Sequence, residues 1–199
     1  MKLFLVAFLF MVSFACQPER IPIPKPRSYP KVVFPNKTNI AFDKDYCQFT
    51  FEHPDYLIFE RDSTFLNQKA KHMCWFNLNC PQLNGTLHFT YTDIRGENAE
   101  ALLFDAIRDA YELTEKHNLK ANSRTSTILS DTSRQLYGIK YEVGGNVASP
   151  HHFVLTDSVQ HALWVALYFY STPNADSMQP VIDFMHEDIV HLIETFQWQ

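Results

Sequence analysis

The chain is short of the residues from which recognisable chemical sites are usually built. It holds only five glycines in 199 residues, and none of them makes a phosphate-binding loop. There is no Gly-x-Ser-x-Gly elbow and no His-Glu-x-x-His, so these hydrolase and zinc-protease signatures are excluded. Ser130, Asp131 and His152 are the types a hydrolytic set needs, but no spacing links them, and the expectation is no enzyme. Positive charge is also scarce: 17 Lys and Arg face 22 Asp and Glu. That balance argues against nucleic acid or anionic lipid as the main partner. Charged residues make up 20% against 46% apolar and 15% aromatic, enough apolar surface to build a real core.

What is present begins at the N-terminus. Met1 and Lys2, the apolar run Leu3 to Val12, and Ser13-Phe14-Ala15 before Cys16 have the layout of a signal peptide over residues 1–15. The run is too short to stay in a bilayer as a spanning helix. Ala15-Cys16 also suits lipoprotein processing, in which the cysteine is acylated, and two or more acyl chains such as palmitate would give stable anchoring. An ordinary signal-peptidase cut would instead leave Cys16 unmodified. Loss of residues 1–15 removes Lys2 and brings the mature net charge near −6.

Pro18, Pro22, Pro24, Pro26, Pro30 and Pro35 are six of the eleven prolines, and they mark residues 16–45 as a tether of extended polyproline II character. At about 3.1 Å per residue it would reach on the order of 60 Å. Pro24-Lys25-Pro26-Arg27 is either plain spacer or a ligand for an aromatic groove.

A single domain is expected over residues 46–199. Cys47 to Phe51 alternates as a strand, His53-Pro54-Asp55 marks a turn, and Leu57 to Glu60 reads as the second arm of a hairpin. Met73 to Leu78 and Thr86 to Tyr91 are further strands, followed by a change of period. Ala99, Leu102, Leu103, Ala106, Ile107, Ala110 and Leu113 predict an amphipathic helix over 98–117. Thr127 to Ser130, Gln135 to Val143, His152 to Thr156 and Ala162 to Tyr170 read as an antiparallel meander. A last helix is expected to be capped by Asp176 or Ser177, with Pro180 in its first turn and a stripe from Val181 to Phe196. The expected class is α+β, one antiparallel sheet with both helices packed on it. That order of elements resembles the Mog1/PsbP-like sandwich.

Among candidate sites, Gly144 and Gly145 permit a backbone path with positive φ, and with Asn146 and Ser149 they mark either a plain loop or a partner-docking loop. Trp164, Tyr168 and Tyr170 would form an interface only if exposed. Glu187-Asp188 reads as solvated helix surface. Nine histidines raise the question of a metal, but the adjacent pair His151-His152 points to opposite faces of a strand, and His186 with His191 has a poor helical spacing for shared ligation. No metal site and no cofactor are expected.

The block from Tyr141 to Pro150 brings the chain close to a known family. Together with Cys47-x-Phe49-x-Phe51-Glu52-x-Pro54, Cys74-Trp75-Phe76-Asn77, Glu100-Ala101-Leu102-Leu103-x-Asp105-Ala106, Ala166-Leu167-Tyr168-Phe169, Pro173-Asn174-x-Asp176-Ser177 and Glu194-Thr195-Phe196-x-Trp198, it resembles the gliding-motility lipoprotein GldD of gliding Bacteroidetes. Ser28, where glycine would be usual, and the additional Cys80 depart from that pattern. The resemblance implies a non-enzymatic accessory of the gliding machinery, tied to type IX secretion and held on the periplasmic side of the inner or outer membrane. Its partners would be other gliding and type IX secretion proteins and, through the anchor, the membrane. A periplasmic ligand-binding module for peptidoglycan, lipid or a small molecule is the alternative.

Cysteine pairing stays open between two states. Cys74 and Cys80 on one strand would lie about 20 Å apart unless the chain bends. Cys47 and Cys74 lie on separate predicted strands and fit the resemblance; a bridge between them would be worth roughly 3–4 kcal/mol in the chain-entropy account. Buried free thiols are the other state.

Overall fold

Alternating apolar and polar residues set the strands of the computed structural model, which describes residues 31–61, 64–65, 68–69, 72–117 and 120–199. The signal segment, Cys16 and the proline-rich stretch up to Pro30 lie outside the described residues. Strands run in the order β1 (Asn39–Phe42), β2 (Phe49–Pro54), β3 (Ile58–Arg61), β4 (Thr64–Phe65), β5 (Gln68–Lys69), β6 (Phe76–Cys80) and β7 (Gly85–Asp93). Helix α1 (Ala99–His117) follows, then β8 (Ala121–Asp131), β9 (Leu136–Gly145), β10 (His151–Thr156), β11 (His161–Phe169), helix α2 (Ala175–Thr195) and β12 (Gln197–Trp198).

The α+β class and the two helices match the expectation, and all described ladders are antiparallel. The number of sheets does not. A seven-stranded sheet, ordered β3-β6-β7-β11-β10-β9-β8, is joined by a three-stranded one, β1-β2-β12. The expected hairpin of β2 and β3 is therefore absent: β2 pairs with β1 and β12, whereas β3 pairs with β6. The turn expected at His53-Pro54-Asp55 falls later: His53 and Pro54 close β2, and residues 55–57 carry the chain to β3 in the other sheet.

Strand alternation assigns the two faces of the large sheet. Phe153 and Leu155 of β10, with Leu163, Val165 and Leu167 of β11, join the main core with the small sheet and α2. Val154, Trp164 and Ala166 face the other way and pack with Ala110 of α1. Between the sheets lies a stack of phenylalanines: Phe42 on Phe76 at 4.6 Å, Phe76 on Phe89 at 4.4 Å, Phe51 on Phe89 at 5.5 Å and Phe49 on Phe196 at 5.5 Å. Each such pair adds about 0.5–1.5 kcal/mol beyond the area it buries.

The packed body also starts earlier than Tyr46. Residues 39–42 form β1, with Phe42 in the core, and Val32 packs against that core. β1 lies within the stretch expected to be tether because its short polar-apolar run carries no strand signal of its own. Helix α2 likewise starts before its expected cap, which puts Pro180 inside the helix.

Candidate functional site

Three places in the body deserve chemical inspection: the end of the tether, the loop after β9, and the cysteines. At the first, Lys37 reaches α2 across a long sequence distance. Its Nζ lies 2.8 Å from Asp188 Oδ1 and 2.9 Å from Glu187 Oε2, and donates to the Phe184 carbonyl at 2.9 Å. The ammonium also sits 4.0 Å from the centroid of the Phe184 ring, on which Phe34 stacks at 4.6 Å. Tyr56 donates its hydroxyl to the other oxygen of Asp188. Residues 34–37 are thereby fastened to the last helix.

The electrostatics of this latch are set by burial. Asp188 is only 4% exposed, and burial pushes its carboxyl pKa up, with the hydrogen bonds from Lys37 and Tyr56 offsetting part of that. Burial also works against the Lys37 ammonium, but its hydrogen bonds to Asp188 and Glu187 outweigh it and hold the lysine above its ordinary value. Burial, then Asp188, push the Tyr56 phenol well upward, so it remains a donor. The expectation that Glu187-Asp188 is solvated surface holds for Glu187 alone. Asp188 lies three residues after Met185 and four before Leu192, both buried on the same stripe, and helical phase was the signal that marks it.

The loop from Gly144 to Ser149 turns inward. Gly145 has φ 110°, and a Cβ there would stand 2.9 Å from both Asn122 N and Lys120 O, so glycine is required at that position. Asn146 is exposed, but its Oδ1 accepts from the Ala175 N–H at 2.9 Å, capping α2 from outside the helix. Ser149 is fully buried and donates to the Leu167 carbonyl at 2.6 Å. Ser149 thus offers no surface, and the loop ties β9, β11 and α2 together.

Cys47 and Cys74 form a disulfide with Cα atoms 5.5 Å apart, and Cys80 is a buried free thiol whose pKa burial raises. The bridge joins the approach to β2 to the approach to β6, and Trp75 beside it donates to the Tyr91 carbonyl at 2.7 Å.

The remaining candidates are occupied. Asp131 accepts from Ser133 Oγ at 2.6 Å and from Arg134 Nε at 2.8 Å, whereas His152 is buried with its Nε2 3.1 Å from the Ser149 carbonyl. Those contacts leave the imagined hydrolytic set without a shared site. Trp164 is covered by α1, Tyr168 is half-buried, and Tyr170 alone of that trio is exposed. His191 Nε2 lies 2.9 Å from Glu52 Oε2 and from Asn39 Nδ2. His151 and His186, one from each pair considered in the sequence, stack at 4.7 Å.

No helix among the described residues is long and apolar enough to cross a membrane. The body is an antiparallel α+β sandwich whose N-terminal approach is pinned to its last helix. The family model for gliding motility lipoprotein GldD matches residues 19–198, and the chain belongs to that family. It is a motility-related lipoprotein of the cell envelope. Among solved structures, the solution structure of cyanobacterial PsbP (CyanoP) from Synechocystis sp. PCC 6803 is similar at 11% identity and a TM-score of 0.48, covering 83% of this chain and 95% of that one. A comparison with curated proteins finds no match.

Proposed function

We propose that this protein is a non-enzymatic, lipid-anchored accessory subunit that supports assembly or stability of the gliding and type IX secretion apparatus from the periplasmic side of a membrane. Membership of the gliding motility lipoprotein family over nearly the whole chain carries this reading. The signal-peptide pattern ending at Cys16 and the proline-rich stretch behind it supply an anchor and a spacer. The Lys37 contacts are compatible with the same reading, because they fasten the residues that follow the proline-rich stretch to α2. A deep apolar ligand pocket between the sheets is disfavoured by the phenylalanine stack that fills that space.

Crosslinked pull-down of the tagged chain from membranes of its own bacterium tests this reading, with Cys16→Ser as the comparison. Gliding or type IX secretion components recovered with the native chain, and depleted with Cys16→Ser, are the expected result. Recovery of the native chain alone, or with cell-wall fragments, would replace the subunit by a ligand-binding module.

A further inference from the structure

Glu142, His151 and His186 come from three elements and meet on one face of the large sheet. His151 of β10 stands directly opposite Glu142 of β9 in the antiparallel register, which puts their side chains on the same face. Helix α2 crosses that face and brings His186 Nε2 to 3.1 Å from Glu142 Oε1. One donor atom from each of the three residues lies within 4.8 Å of the others.

His151 is the unusual member. It is 6% exposed, and both ring nitrogens are buried without a hydrogen-bond partner. Buried imidazole nitrogens are ordinarily satisfied, so this pair of atoms calls for a ligand. Burial, with the nearby charges of His186, Lys140 and His152, pushes the His151 pKa down to about 3.

We propose that Glu142, His151 and His186 bind a divalent first-row transition-metal ion, with Zn²⁺ as the type case. Two imidazoles and one carboxylate suit such an ion better than Mg²⁺ or Ca²⁺, which prefer all-oxygen sets. Three protein ligands leave a fourth tetrahedral position for water or for a donor from outside the chain.

A cation already sits against two of the three residues. Lys140, two residues before Glu142 on the same face of β9, has its Nζ 3.4 Å from Glu142 Oε1 and 3.1 Å from His186 Nε2. The ammonium occupies the position of the missing positive charge, and its flexible stem allows it to withdraw. Metal–ligand bonds of about 2.0–2.2 Å require the donors to close in by roughly an ångström, and His186 to turn out of its parallel stack on His151, because an imidazole lone pair lies in the plane of its ring. His186 and Glu142 are each about one-third exposed and free to make that movement, with the buried His151 as the fixed anchor. Neither pair considered in the sequence, His151-His152 or His186 with His191, builds this site by itself; one member of each pair contributes to it.

Titration of Zn²⁺ into the full chain, purified in detergent and stripped with chelator, tests the proposal at pH 7.5. One ion per chain is expected, with a rise in melting temperature, since an ion that binds only the folded state stabilises it. Glu142→Gln and His186→Ala should each weaken binding at least tenfold, while their metal-free melting temperatures confirm that the fold survives. His191→Ala should leave binding unchanged, and Lys140→Met should tighten it severalfold. Absence of saturable binding would overturn the proposal, as would equal affinity in Glu142→Gln and His186→Ala or loss of binding in His191→Ala. Unchanged or weaker binding in Lys140→Met would remove the lysine from its competing role.

Discussion

The two faces of the seven-stranded sheet are covered by different means. On one face, a second sheet, helix α2 and a disulfide enclose a stack of aromatic rings, and nearly every side chain there is buried. On the other, among the described residues, α1 covers a patch built around Ala110, Val154, Trp164 and Ala166. Its expected apolar stripe is only partly used, with Leu102 37% exposed, and Phe104, which lies off that stripe, is 65% exposed. Beyond it, the edge strand β8 is exposed along almost its whole length, with Ile128 at 80%. The contrast separates stability from availability: the first face holds the fold, and the second is where elements can loosen at small cost.

Truncation on the first face should have the largest effect. Phe51→Ala removes a ring that stacks on Phe42, Phe89 and Phe196, and a loss of about 3–5 kcal/mol is expected. Denaturant midpoints measure it; a loss below about 1 kcal/mol would break the comparison. Replacing Cys47 and Cys74 together by serine should cost roughly 3–4 kcal/mol if chain entropy governs, read from the same curves under oxidising conditions. On the second face, Ile107→Ala, at a half-buried position, should cost only about 1–2 kcal/mol. Hydrogen exchange sharpens the point: α1 amides should exchange ahead of those of α2, and the reverse order would show that the thin face is not the weak one.

The smallest effect concerns the turn between β10 and β11. Burial pushes the Asp157 carboxyl upward, but N–H groups of Val159, Gln160 and His161 all donate to it and leave its pKa below the ordinary value. A depressed folded-state pKa means that the stabilisation is present above the unfolded carboxylate pKa and is lost as pH falls through the folded one. Asp157→Asn should therefore cost about 1 kcal/mol at neutral pH and progressively less below pH 4. A difference that stays constant with pH would show that the ionised carboxylate contributes nothing.

The sequence by itself determined the type of most elements, because side-chain direction repeats every two residues in a strand and every 3.6 in a helix, and both periods are local. It also carried the blocks that mark the family. The tertiary structure alone decided which strands pair. Residues 47–51 are legible as a strand, yet the partners of β2 are residues 39–42 and 197–198, one without a strand signal and the other at the far end of the chain. The same holds for the chemistry. Asp188 is buried because Lys37 and Tyr56 arrive from elsewhere to meet it, and Asn146 serves a helix cap 29 residues later. His151 meets His186 because the register of β9 with β10 and the path of α2 over them coincide at one point. Convergence of that kind is a property of packed surfaces, and no local period in the chain encodes it.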